Sequence, residues 1–145
     1  MINISQCKRN SFKGCFYNSG GSGNFKGEVL RIEDNKYLFK DIYVSYTTYG
    51  GMIEVGKENH VWIMDAEIFK ENGIKVGDCV AFAGEIYPYK RKNGTYDLGI
   101  KNPDMVKKID SYELPSDEEL YEQFKQQIKC ETCLFNEQCY GICII

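Results

Sequence analysis

The stretch Val76-Gly77-Asp78-Cys79-Val80-Ala81-Phe82-Ala83-Gly84-Glu85-Ile86-Tyr87-Pro88-Tyr89-Lys90-Arg91-Lys92-Asn93-Gly94-Thr95-Tyr96-Asp97-Leu98-Gly99-Ile100-Lys101 decides the fold. Val76-Gly77-Asp78 reads as a turn, Cys79–Tyr89 as a long strand, Lys90–Gly94 as a tip, and Thr95–Lys101 as the returning strand. Asn93-Gly94 between two aromatic β runs is a strong hairpin signal, because both residues accept the left-handed backbone that tight hairpin turns need. Outward from this hairpin, Phe25–Glu33 reads as a first strand with Asp34-Asn35 as its turn. Tyr37–Tyr46 follows, with simple alternation placing Leu38, Ile42 and Val44 on one face and Tyr37, Phe39 and Tyr43 on the other. Thr47–Asn59, holding Gly50, Gly51 and Gly56, reads as a loop, and His60–Met64 as a short third strand. Asp65 is placed to cap a short helix through Lys70, closed by Gly73. Pro103 is expected to end the fifth strand, with Met105–Ile109 as a short final piece.

The chain has 145 residues, a length that suits one domain with an appendage. Its apolar fraction of 43% and charged fraction of 27% are ordinary globular values, which excludes disorder, coiled coil and collagen-like repeats. No apolar run approaches a membrane span, and Met1–Asn10 has no apolar signal core, so a soluble cytoplasmic protein without a membrane partner is expected. The net charge of −3 averages unlike parts: residues 1–109 carry +3 and residues 110–145 carry −6. Aromatics reach 14%, with 11 Tyr and one Trp, and there are 7 Cys beside a single His. An odd cysteine count without a secretory signal argues for metal ligands or free thiols over a disulfide framework.

Residues 1–23, with Cys7, Cys15 and the run Asn18-Ser19-Gly20-Gly21-Ser22-Gly23, have a flexible linker composition. Residues 24–109 form the β-rich body. Residues 110–145 form an acidic helix and a cysteine-rich tail. The helix is read over Ser116–Lys129: Ser116 and Glu119 make a capping box, acids fill the first turn, and Leu120, Phe124 and Ile128 give one apolar stripe.

The strand, strand, strand, short helix, strand, strand order, with Ile74–Ile86 leading into the fourth strand, resembles an OB-fold. The expected fold is therefore mainly β: a five-stranded OB-like Greek-key barrel with one short internal helix, followed by the C-terminal α-helix and a compact four-cysteine metal motif. The resemblance implies oligonucleotide or oligosaccharide binding on strands two and three, rimmed by the loops after strands one and four. Judged by residue type, a single-stranded nucleic acid asks for flat rings on which bases stack and cations that follow the phosphates. Tyr87, Tyr89 and Tyr96 sit with Lys90, Arg91 and Lys92 on one hairpin, and Tyr43, Tyr46 and Trp62 fall on the two binding-face strands. A plain structural reading of the hairpin stays open beside this, since aromatics are favoured in strands and pair across them. His60 reads as a strand-edge residue. Without a nucleophile–base pair or a Gly-rich phosphate loop ending in Lys-Ser/Thr, no enzymatic chemistry is expected.

Cys130, Cys133, Cys139 and Cys143 gather four thiols into a short tail, a donor set suited to tetrahedral Zn2+. In its span and leading Cys-x2-Cys the cluster resembles a zinc knuckle, with Cys139 standing where that family has a His one residue later. The spacing of the first three also resembles the three-cysteine run of several [4Fe–4S] proteins, for which Cys7 or Cys15 could supply a remote fourth ligand. Cys79, inside the fourth strand, reads as a small buried hydrophobe. Together these features suggest a small accessory protein that binds single-stranded DNA or RNA and carries a structural metal site. The alternatives are an interaction module that docks a larger nucleic-acid enzyme, and an Fe–S-dependent redox or DNA-processing component.

Overall fold

The computed structural model describes the backbone of residues 7–132 and side chains through residue 125. Along the chain run α1 (Asn10–Ser19), β1 (Ser22–Glu33), β2 (Lys36–Thr47), β3 (Ile53–Ile63), α2 (Glu67–Glu71), β4 (Cys79–Lys90), β5 (Tyr96–Ile109) and α3 (Asp117–Thr132). The five strands form one antiparallel sheet in the order β3-β2-β1-β4-β5. This order, with α2 between β3 and β4, is consistent with an OB-like fold. No ladder joins β3 to β5 among the described residues, so the sheet curls without closing into a hydrogen-bonded barrel.

The curl wraps an aromatic core. Phe12 of α1 packs edge-on against Phe25, which stacks on Phe82; Phe82 and Phe39 both meet Phe69 of α2, and Tyr37 stacks on Phe69. Phe12, Phe39 and Phe69 are fully buried, so α1 and α2 each drive a phenylalanine into the core. The Tyr37 hydroxyl stays satisfied there by donating to the Ile74 carbonyl at 2.8 Å.

Simple alternation misassigns β2. Tyr37 and Phe39 point inward with Ile42 and Val44, because the pairing with β1 slips between Lys26–Tyr43 and Glu28–Lys40. Asp41, with φ 52°, supplies the extra residue, and one inserted residue moves everything after it to the opposite face. β5 departs in the same way. It runs on through Pro103, because that residue falls inside one of two irregularities in the pairing with β4, where Asn102 and, beyond Asp104, Met105 adopt left-handed backbones. β3 starts at Ile53, well inside the segment read as a loop. Its Gly56 is a packing glycine: a Cβ there would lie 2.5 Å from Ser11 of α1.

Residues 7–23 also differ from the linker reading. Over residues 10–19 they form α1, with Cys15 fully buried, Gly20 capping the helix at φ 73°, and Ser22 already in β1. The helix begins without a cap from its own Arg9; instead Glu58 of β3 accepts the Ser11 N–H at 2.7 Å. Ser11 Oγ donates to the Lys57 carbonyl at 3.0 Å and accepts its N–H at 3.1 Å.

Asp65 does not cap α2, whose N-cap is Ala66, whereas Gly73 does take the left-handed conformation expected beyond its end. The Ser116 half of the α3 capping box forms, the Glu119 N–H donating to Ser116 Oγ at 3.1 Å. Of its apolar stripe, Leu120 is half-buried and Phe124 is 55% exposed, while the side chain of Ile128 lies outside the described residues. The helix is held to the β3 edge by Gln123, which exchanges two 2.9 Å hydrogen bonds with the Val55 backbone as a neighbouring strand would, and by an Asp117–Lys57 ion pair at 2.8 Å.

Candidate nucleic-acid interface

The 4–5 hairpin closes as its sequence implies. Arg91 N–H donates to the Thr95 carbonyl at 2.7 Å, Gly94 takes φ 89°, and Asn93 Oδ1 accepts both the N–H and the hydroxyl of Thr95. Tyr87 and Tyr89, two apart on β4, project from the same face with ring centroids 6.0 Å apart. Across from Tyr87 in β5 is Gly99. A Cβ at Gly99 would stand 3.2 Å from Tyr89 and 3.3 Å from Tyr87, so the missing side chain is what lets both rings lie over the β5 backbone.

These rings line a groove of about 630 Å3 together with Trp62, Lys36, Lys90, Arg91 and Lys92. Arg9, His60, Met64 and Asn93 complete its lining, and no carboxylate is among those residues. Thus Trp62, Tyr87, Tyr89, Lys90, Arg91 and Lys92 come together from β3 and from the β4 end of the hairpin. Cations also flank the rings: Lys36 Nζ and the Arg31 guanidinium lie 5.5 and 5.7 Å from the Trp62 ring centre, and Lys101 Nζ lies 5.7 Å from that of Tyr87. Burial, reinforced by neighbouring Tyr89, raises the Tyr87 phenol above its ordinary value and keeps it neutral.

The three basic tip residues are not equivalent. Arg91 is ion-paired to Asp97, whose side chain is only 1% exposed. Burial alone would raise the Asp97 carboxyl, but the Leu98 N–H and the charges of Arg91 and Arg9 outweigh it and hold the group below its ordinary value. Lys90 and Lys92 form no ion pair among the described residues and are the unpaired cations of the tip.

Three other candidate rings lie elsewhere. Tyr46 points into the core at 5% exposure, because it alternates onto the same face as Ile42 and Val44. Its phenol is pushed up by burial and by Glu54, so its faces are closed to a stacking base. Tyr96 packs half-buried against the core. Tyr43 lines a separate hollow of about 260 Å3 with Lys26 and Lys107, and Lys26 Nζ stands 5.2 Å from its ring centre. Sequence reasoning missed Arg9, Lys36 and Gly99. Lys36 stands beside the first turn, the loop that the OB resemblance itself points to, whereas Arg9 lies far from the hairpin in sequence.

Of the candidate metal ligands, Cys130 falls in the last turn of α3 with its side chain outside the described residues; Cys133, Cys139 and Cys143 lie outside them altogether. Cys7 and Cys15, the candidate remote ligands, are core residues at 2% and 0% exposure. Burial pushes both thiols above their ordinary value. Among the described residues no cluster of three or more His, Cys, Asp or Glu side chains could hold a metal ion. Cys79 opens β4 and is half-buried. Among the described residues, no helix is long and apolar enough to cross a membrane.

No family model matches the chain, and no curated protein matches it. Among solved structures it is similar to Pot1pC of Schizosaccharomyces pombe, crystallised bound to the single-stranded DNA CGGTTACGGT. The two share 14% identity over 86% of this chain and 97% of that one, with a TM-score of 0.35. A likeness of that degree carries no weight for the function of this chain, which is argued from its own groove.

Proposed function

We propose that this protein binds single-stranded nucleic acid in the groove between Trp62 and the Tyr87–Tyr89 pair. The observation that carries the reading is the convergence, in one open groove free of lining carboxylates, of three aromatic side chains with Lys36, Lys90 and Lys92. Each base stacked on such a ring contributes about 1–3 kcal/mol, whatever the base, while the lysines neutralise phosphates. The fold supplies an OB-like barrel left open at one seam, with the basic hairpin tip overhanging it. Binding of this kind is sequence-tolerant and needs no catalytic group. Seven cysteines, two of them buried as free thiols, suit a reducing cytoplasm.

Trp62 is the only tryptophan, so the groove reports on itself. Titration with a thymidine dodecamer should quench its fluorescence, with weaker binding as salt rises and far weaker binding of a duplex of equal length. Unchanged Trp62 emission and no change in oligonucleotide anisotropy at low salt would refute the assignment. On spacing alone we also propose Cys130, Cys133, Cys139 and Cys143 as a structural Zn2+ site, with a [4Fe–4S] cluster as the alternative. Metal analysis of anaerobically purified protein separates them: one zinc per colourless chain against iron and sulfide in a brown one.

A further inference from the structure

Arg9 stands where the curled sheet fails to close. β3 and β5 are the two outer strands of the sheet, and no ladder joins them among the described residues. The Arg9 guanidinium spans that gap: Nη2 donates to the His60 carbonyl of β3 at 3.0 Å, and Nη1 donates to the Leu98 carbonyl of β5 at 2.8 Å. Nη1 also donates to the Tyr89 hydroxyl of β4 at 2.8 Å, and the guanidinium carbon lies 5.9 Å from the centre of that ring. A single planar group thereby makes hydrogen bonds to three strands. Its plane carries donors in fixed directions, which an ammonium on a flexible stem does not.

The guanidinium is itself held from behind. Arg9 directly precedes α1, whose Ser11 is pinned to β3 by two hydrogen bonds to the Lys57 backbone and one to Glu58. Asp97, between Arg9 and Arg91 in charge, binds Arg91 directly and lies within electrostatic reach of Arg9. Three of the five guanidinium donors are engaged by these acceptors, so the group is held in one orientation in the groove wall.

Resting on the nucleic-acid reading above, we propose that Arg9 is the positioning residue of the groove: by tying β3 to β5 and anchoring the Tyr89 hydroxyl, it fixes the width of the groove and the tilt of the ring on which a base stacks. It acts through Tyr89 and not by touching the nucleic acid. A helix outside the sheet thus sets the geometry of a site built on the sheet.

The test is a double-mutant cycle read by anisotropy of a fluorescein-labelled thymidine dodecamer, with the aromatic NMR spectrum of the ligand-free protein as a second readout. Arg9→Met should weaken binding about tenfold, the scale of one or two charge-assisted hydrogen bonds. Arg9→Lys should recover less than about threefold of that, since an ammonium does not span the three acceptors. Tyr89→Phe keeps the ring and loses its anchor, so the double variant should be no more than about twofold weaker than Arg9→Met alone. The Tyr89 ring signals should shift in Arg9→Met and Arg9→Lys before any ligand is added. Fully multiplicative effects, parent-like affinity of the Arg9 variants, or unmoved ring signals would overturn the positioning role. Should Arg9→Met not fold, Arg9→Lys and Tyr89→Phe carry the same cycle. Failure of the parent protein to bind the dodecamer overturns the ligand reading and the role of Arg9 in binding together, whereas normal parent binding with unaffected variants overturns the role of Arg9 alone.

Discussion

Replacing both Lys90 and Lys92 with Ala should flatten the salt dependence of oligonucleotide binding while leaving the fold intact. Apart from Arg9, whose guanidinium is hydrogen-bonded to the groove wall, the groove holds three cations that form no ion pair among the described residues, Lys36, Lys90 and Lys92. Each phosphate neutralised on a single strand contributes about −0.7 to the slope of log affinity against log salt, so the parent slope should be near −2 and that of the double variant near −0.7. Relative to molar salt, the lost slope amounts to roughly 25-fold in affinity at about 0.1 M. Arg91→Ala should behave differently. Its guanidinium is already paired to Asp97, so the slope should change by much less than one lysine's share. The cost should appear instead in stability, because a carboxylate 1% exposed loses its ion-pair partner and keeps only the Leu98 N–H and the more distant charge of Arg9. Breaking a buried pair by removing one partner typically costs 3–5 kcal/mol; the remaining partners bring this to about 2–3 kcal/mol, or a melting point lower by roughly 5–10 °C. Anisotropy titrations of a labelled dodecamer between 0.05 and 0.4 M salt, at roughly tenths-of-a-decade steps, together with melting curves, read both effects. A double lysine variant with the parent slope would refute the reasoning. So would an Arg91→Ala protein that loses slope like a lysine variant and melts with the parent.

Gly99→Val should drive a branched side chain into the Tyr87 and Tyr89 rings and weaken oligonucleotide binding by about three- to tenfold, with about 1–3 kcal/mol of overpacking cost; unchanged affinity in a folded variant would remove those rings from the binding surface. Tyr46→Phe should leave affinity at the parent value, since that ring is in the core, and a loss comparable to Tyr87→Ala would contradict its placement. Glu58 is raised by burial to about 7 from an ordinary value near 4.5, against the lowering pull of the Ser11 and Phe12 N–H groups and Arg9. The folded state therefore binds a proton more tightly than the unfolded chain, so stability should fall as pH climbs from about 4.5 through about 7, by at most about 1.4 kcal/mol per pH unit. Glu58→Gln should shallow that decline in urea melts, and an undiminished decline would assign it to another group. Chelation should loosen the C-terminal tail if Cys130, Cys133, Cys139 and Cys143 hold zinc; identical protease cleavage of residues 117–145 with and without chelator would count against the site.

What the sequence revealed, and what it hid, follows from the range over which each signal acts. The hairpin was legible because its cause is local: Asn93 and Gly94 write a turn, Tyr87 and Tyr89 inherit their common side from a two-residue repeat, and Lys90 and Lys92 follow at once in the tip. The cap of α3 was legible for the same reason, Ser116 and Glu119 lying one turn apart. Facing was not, because parity is global. One unpaired residue at Asp41 reverses every side chain after it, and an Asp that adopts a left-handed backbone looks no different in sequence from one that does not. The slip brings Tyr37 and Phe39 inside with Ile42, Val44 and Tyr46, so much of the aromatic excess that suggested base stacking turns out to build the core. The flexible reading of residues 1–23 failed on composition: Gly20 and Gly21 are a helix end and Ser22-Gly23 the start of a strand, where glycine serves turns and close packing as readily as flexibility. The same failure hid Arg9, because an arginine in a segment read as a linker reads as a solvated charge until α1 is folded onto β3. The site is therefore written at two distances. Its rings and free lysines belong to strand and tip, legible in runs of a few residues, while its width depends on a guanidinium about 80 residues upstream of Tyr89 that only the tertiary fold delivers.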